Sequence, residues 1–85
     1  MAKVTIYTRA FCPYCSRALS LLKQKDADFT HIDAGMDAKK RAEMIQRSNG
    51  ARTYPQIFVG DMHIGGCDDM MALERAGKLD VLLSA

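Results

Sequence analysis

The chain predicts an α/β fold with its elements in the order β-α-β-α-β-β-α, and three observations carry this. Val4-Thr5-Ile6-Tyr7 is a short β-branched and aromatic run that reads as a strand. From Pro13 the apolar positions Tyr14, Cys15, Ala18, Leu19 and Leu22 recur at helical spacing. Further on, Tyr54 to Val59 and Met62 to Ile64 flank Gly60-Asp61, a two-residue link of the kind that favours a tight hairpin turn.

The remaining elements follow in order. Arg9 to Phe11 is a short connection ending at Cys12, and Pro13 suits a first helical turn because its missing N–H has no partner there anyway. Cys12 is thus expected at a helix N-terminus. Phe29 to Asp33 reads as a second strand, although Phe29 and Ile32 do not alternate cleanly. Asp37 is a candidate cap for a second helix whose inner face would carry Ala38, Ala42 and Ile45, with Asn49-Gly50 as its stop. Asp68 and Asp69 suit the first turn of a third helix after Gly65-Gly66; Gly77 interrupts it, and Lys78 to Leu83 reads as a short final helix. A parallel crossover is expected for the first β-α-β unit and an antiparallel pair for the hairpin.

With 85 residues, well under the ~150 expected per domain, the chain reads as a single domain over 1–85. Twelve basic residues against ten acidic ones leave a net charge of +2, too small and too interleaved for a nucleic-acid footprint. No apolar run approaches the ~20 residues a membrane-spanning helix needs. Met1 to Tyr7 does not read as a secretory signal, so a cytoplasmic protein is expected. Three cysteines is an odd number, unlike the even sets of disulfide-stapled secreted domains.

A C-x-x-C motif placed after a strand and opening a helix, as in Cys12-Pro13-Tyr14-Cys15, is a redox signal. Unpaired N–H groups and the helix dipole at that N-terminus favour a thiolate at Cys12. Cys15, one turn further in, can close a small disulfide ring with it. Cys12 is therefore the expected nucleophile and Cys15 the resolving thiol. Zinc is the competing use of such a pair, but it wants four ligands; Cys67, His31 and His63 could contribute, yet no second C-x-x-C or His-x-x-x-His is present, so no metal site is expected.

Three motifs in order, Thr8-Arg9-Ala10-Phe11-Cys12-Pro13-Tyr14-Cys15, Thr53-Tyr54-Pro55-Gln56-Ile57-Phe58 and Gly65-Gly66-Cys67-Asp68-Asp69, make the chain resemble a dithiol glutaredoxin of the bacterial small type from Lys3 to Leu83. The resemblance implies a thioredoxin-like fold, a four-stranded mixed sheet flanked by helices. It implies a glutathione-dependent thiol–disulfide oxidoreductase acting on protein disulfides and glutathione mixed disulfides. Glutathione would be a co-substrate, with no tightly bound cofactor. Partners would be disulfide-containing or glutathionylated proteins, ribonucleotide reductase being one for some family members, and the chain would act as a monomer. Some glutaredoxin relatives instead carry a [2Fe–2S] cluster between two chains, each giving one cysteine together with glutathione; Pro13 beside the nucleophile, typical of the redox members, argues against that use.

The residue matching Pro55 is cis in the family, which would let the backbone of Tyr54 pair with the cysteine moiety of glutathione like an added strand, with Thr53 flanking the groove. Gly66 would let the ligand approach closely, backbone N–H groups at Cys67 and Asp68 would bind the γ-glutamyl carboxylate, and Asp68 would hold the neighbouring ammonium. Arg9 is the candidate for the other carboxylate and Tyr14 for a pocket wall. Cys67 is expected to serve through its backbone. Family members commonly carry Val at the position of Tyr54 and Lys at that of Arg9. The aromatic is expected to narrow the groove rim or stack on partners, the guanidinium to hold a carboxylate more rigidly.

Overall fold

The computed structural model describes residues 2–84; Met1 and Ala85, the ends of the expected domain 1–85, lie outside them. The elements are β1 (Val4–Thr8), α1 (Pro13–Gln24), β2 (Phe29–Asp33), α2 (Ala38–Arg47), β3 (Gln56–Val59), β4 (Met62–Gly65), α3 (Cys67–Arg75) and α4 (Leu79–Leu83). The strands form one mixed sheet in the order β2-β1-β3-β4, with β1 parallel to β2 and antiparallel to β3, and β3 antiparallel to β4. The expected order and mixed sheet are therefore present. The hairpin turn has Gly60 in the left-handed region, at φ 59°.

Side-chain alternation along the two central strands divides the core. Val4, Ile6, Ile57 and Val59 face one way and pack with Ala18, Leu21 and Leu22 of α1, Met70 of α3, and Leu79 and Leu83 of α4. Tyr7 and Phe58 face the other way and pack with Met44 of α2. Helices thus cover both faces. At the far end of α1, Lys25 Nζ lies 2.7 Å from Glu74 and 2.8 Å from Asp80, linking that helix to α3 and α4. Both carboxylates hold the Lys25 ammonium charged and raise its pKa, Asp80 contributing most.

Some local expectations are corrected. The inner face of α2 is not Ala38 and Ala42, which are exposed, but fully buried Met44 with half-buried Ile45. Methionine's long, flexible side chain reaches the sheet where an alanine cannot. The helix is further fixed by a polar cluster: Tyr7 Oη donates to Glu43 Oε2 and accepts from Arg47 Nη1 at 2.9 Å, while the Arg47 guanidinium sits 4.3 Å from the Phe58 ring centroid. Burial, and then the Glu43 hydrogen bond, push the Tyr7 phenol up. On α1, Tyr14 is exposed and Leu21 joins the buried face instead. Strand β3 begins at Gln56 rather than Tyr54, because Tyr54–Pro55 is a cis peptide and Pro55 has no N–H for a ladder.

Because Met44 is the one fully buried side chain of α2 against the sheet, Met44→Ala is expected to lower unfolding free energy by about 2–4 kcal/mol in urea titration. A loss below about 0.5 kcal/mol would show that α2 is not held through this side chain.

Candidate functional site

Sheet register explains why three distant sequence segments meet. Tyr7 pairs with Gln56, so the residues after β1 lie beside those before β3; Ile57 pairs with Gly65, so the end of β4 reaches the same edge. The connection to Cys12, the Thr53-Tyr54-Pro55 segment and the start of α3 therefore converge at one end of the sheet.

Cys12 caps α1. Its backbone is extended (φ −110°, ψ 104°) and its Sγ accepts the Cys15 N–H at 3.3 Å, the position a serine or aspartate oxygen usually fills. Pro13 opens the helix, as its sequence position requires. Phe11, fully exposed at φ 58°, makes the left-handed turn that brings the chain from β1 to the cap. Cys12 Sγ also lies 3.9 Å from the Tyr54 carbonyl oxygen, across the cis Tyr54–Pro55 bond expected from the resemblance.

The two sulfurs differ. Cys15 is 3% exposed, and its pKa is pushed up to about 12, mainly by burial and then by its hydrogen bond to Cys12; the Arg9 backbone N–H acts in the opposite sense. Burial likewise pushes the Cys67 thiol up. No disulfide joins any of the three.

A groove of about 360 Å³ runs from Tyr14, Thr53, Tyr54 and Pro55 to Gly66, Cys67 and Asp68. These are seven of the eight residues expected around glutathione, brought together along one surface. Arg9 stands apart: it lines two adjoining concavities, and one of these also receives Cys12 and Cys15. Cys12, 6% exposed, lines that concavity rather than the groove, and reaches the groove wall through its Sγ, 3.9 Å from the Tyr54 carbonyl.

Tyr54 lines the groove and is fixed there. Its hydroxyl donates to the Ala34 carbonyl at 3.2 Å and its ring packs on the Tyr7–Met44 cluster, so it is anchored inward rather than left to swing across the rim. The Arg9 guanidinium stands 6.0 Å from that ring's centroid. Gly35 makes this possible, since a Cβ there would sit 2.7 Å from Arg9 Cβ.

At the start of α3, Gly66 is the N-cap and its N–H donates to Asp69 Oδ2 at 3.0 Å, leaving the first amides of the helix toward the groove. Gly65 cannot carry a side chain, because at φ 121° its Cβ would collide with the Asp69 carboxylate. Sequence reasoning missed Gln56 and His63. Buried Gln56 donates through Nε2 to Thr53 O and Oγ1 at 3.0 and 3.1 Å, and its Oε1 accepts from His63 Nε2–H at 2.7 Å, bracing the groove wall. Only the polarity of Gln56 inside an apolar strand could have flagged it. Asp69 was legible as a third-residue acid at a helix start.

The family model described as Glutaredoxin matches residues 4–64. Among curated proteins, the chain is 54% identical to the glutaredoxin of Pseudomonas aeruginosa over 85 residues, 100% of both chains. It is 53% identical to glutaredoxin 3 of Escherichia coli over 83 residues, 98% of this chain and 99% of that one. Among solved structures, the glutaredoxin of Brucella melitensis is similar with TM-score 0.83 and 57% identity, covering 98% of this chain and 89% of that one. A buckwheat glutaredoxin–glutathione complex is similar with TM-score 0.84 and 34% identity, covering 95% and 76%. With a C-x-x-C pair capping its first helix and these likenesses over its whole length, the chain belongs to the glutaredoxin family, the glutathione-dependent thiol–disulfide oxidoreductases.

Proposed function

We propose that Cys12 is the nucleophile, Cys15 the resolving thiol, and the Tyr14–Asp68 groove the seat of glutathione. The observation that carries this is the pairing of one sulfur that caps a helix with a second, a turn further in, that is held protonated. In this reading the Cys12 thiolate attacks the glutathionyl sulfur of a mixed disulfide. A Cys12–glutathione disulfide forms, and the substrate thiolate leaves and takes a proton from water. A second glutathione thiolate then attacks the glutathionyl sulfur, releasing glutathione disulfide and regenerating Cys12. On protein disulfides, the Cys12 thiolate attacks one substrate sulfur and releases the other as a thiolate that takes a proton; Cys15 then loses its proton to water and attacks the Cys12 sulfur of the mixed disulfide, the second substrate thiolate departs and is protonated, and two glutathione thiols reopen the ring with release of glutathione disulfide.

A thiol with a pKa of about 12 is ionised in roughly one molecule in 10⁵ at pH 7. Effective molarities of oriented intramolecular reactions, which reach ~10⁵ M, offset that handicap. Two of the causes that raise the Cys15 pKa, the hydrogen bond to Cys12 and its charge, also disappear once Cys12 is in disulfide linkage. Burial, the largest cause, remains, so the intramolecular geometry carries most of the resolving step.

For glutathione itself, the Tyr54 backbone would pair with the cysteinyl residue. The first amides of α3 at Cys67 and Asp68 would receive the γ-glutamyl carboxylate, and Asp68 the ammonium. Gly66 faces the Pro55 oxygen, which a Cβ there would meet at 3.4 Å, an ordinary contact. Thr53 and Pro55 form the wall, Tyr14 closes the outer side, and Arg9 lies at the glycyl end. Cys67 serves through its backbone, its thiol being buried and its pKa raised. We further propose that glutathione exchanges as a co-substrate rather than staying bound, and that a single chain, which holds both sulfurs and the groove, is the working unit. Glutathionylated and disulfide-bonded proteins, ribonucleotide reductase among them, are the proposed partners. A reducing cytoplasm, where such a dithiol is kept ready, is the proposed compartment.

Cys12→Ser is expected to abolish turnover of a glutathione mixed disulfide, whereas Cys15→Ser retains it and loses reduction of protein disulfides; activity surviving in Cys12→Ser would remove the nucleophile from this position. Asp68→Ala is expected to raise the KM for glutathione several-fold, with a smaller change in kcat, as the loss of a charged contact outside the reacting bond predicts. An unchanged KM would take Asp68 out of the site. Alkylation supplies the pH test. Burial, the largest cause of the raised pKa and one that Cys12→Ser leaves in place, keeps Cys15 protonated, so modification followed at Cys15 in that variant should climb about tenfold per pH unit from pH 7 to 9. A plateau below pH 9 would contradict a buried, protonated thiol.

A further inference from the structure

Beside the groove lies a concavity of about 640 Å³ lined by Arg9, Tyr14, Gly35, Arg41, Arg52, Thr53 and Tyr54. Three of its walls are guanidinium groups and none is a carboxylate. Among the described residues, none of the three arginines is in a salt bridge, the two ion pairs both belonging to Lys25. Neighbouring acids are already committed: Asp33 accepts from the Gly35 N–H, Asp37 caps α2, and Glu43 accepts from Tyr7. The concavity shares Tyr14, Thr53 and Tyr54 with the groove, so the two surfaces are continuous.

We propose that this concavity receives acidic residues that follow the reactive cysteine of a protein disulfide. The inference rests on the glutathione reading above. In that reading the γ-glutamyl end lies at α3 and the glycyl end at Arg9. The bond between the cysteinyl and glycyl residues of glutathione is an ordinary peptide bond. A protein cysteine seated on the Tyr54 backbone therefore continues, residue by residue, past Arg9 and into the space between Arg41 and Arg52. Residues preceding the cysteine run the opposite way, toward the acidic first turn of α3 at Asp68 and Asp69. The field is thus directional: three guanidinium groups favour carboxylates after the cysteine, whereas before it the α3 amides seat one carboxylate and Asp68 and Asp69 repel any more. Guanidinium groups suit this because their planar forks match carboxylates bidentately. The chemistry is that of the dithiol route: the substrate disulfide is reduced to two thiols as the Cys12–Cys15 disulfide forms, and glutathione returns the electrons.

The test uses the full chain and symmetric disulfide dimers of short peptides that place three acidic residues after the cysteine, three before it, or three lysines after it. Wild type should reduce the first with kcat/KM roughly fivefold above the second, the return of about two exposed ion pairs, and further above the third. At ~1 M salt the difference should shrink to within about twofold. Arg52→Glu should invert the order of the first and third peptides, and Arg52→Lys should retain most of the wild-type order. A small glutathione mixed disulfide should be turned over by Arg52→Glu within about twofold of wild type. Equal rates for acids before and after the cysteine, or an order unmoved by Arg52→Glu, overturn the proposal while leaving the glutathione reading intact if the small mixed disulfide is still turned over. Loss of that small-substrate activity in wild type overturns both.

Discussion

The contact between the Cys15 amide and Cys12 Sγ, at 3.3 Å, is the one on which the site depends. It makes the sulfur the N-cap of α1, so the chemistry is tied to a backbone that the fold already holds. The helix could not begin elsewhere, because Pro13 supplies its first turn and the left-handed Phe11 sets the chain's approach. One sulfur accepts a helix amide, and the other, a turn inside, is held protonated chiefly by burial. The asymmetry that a two-step exchange requires follows from helix position and burial together.

Topology supplies the rest. In a sheet ordered β2-β1-β3-β4, the C-terminal end of β1, the N-terminal end of β3 and the C-terminal end of β4 share an edge. The cysteine turn, the cis-proline segment and the amides of α3 are therefore neighbours because of strand register, not because of sequence proximity. Gln56 and His63 brace this edge from within the sheet, and the Tyr7–Glu43–Arg47 cluster holds α2 behind it.

Much of this was legible in the sequence. The strand run at Val4–Tyr7, Pro13, the Gly60-Asp61 turn and the Asp37 cap each announce local structure through backbone preference, and each is present. What escaped was decided by tertiary packing. The buried face of α2 rests on Met44, a choice that depends on the distance to the sheet rather than on period. That the Ala34 carbonyl fixes the Tyr54 ring at the groove depends on how the β2–α2 connection packs. Arg41 and Arg52 look like ordinary surface charges in sequence, and only their convergence with Arg9 around one concavity distinguishes them.

The central claim is that the nucleophilic sulfur of Cys12 presents its adduct to the groove between Tyr54 and α3. Backbone amide chemical shifts, recorded for Cys15→Ser before and after reaction with oxidised glutathione, test it most directly. The account predicts that the largest changes fall on Tyr54, Cys67 and Asp68, with a smaller set at Arg9. Changes concentrated instead on Thr8, His31 and Asp33, on the opposite side of the sulfur, would contradict it.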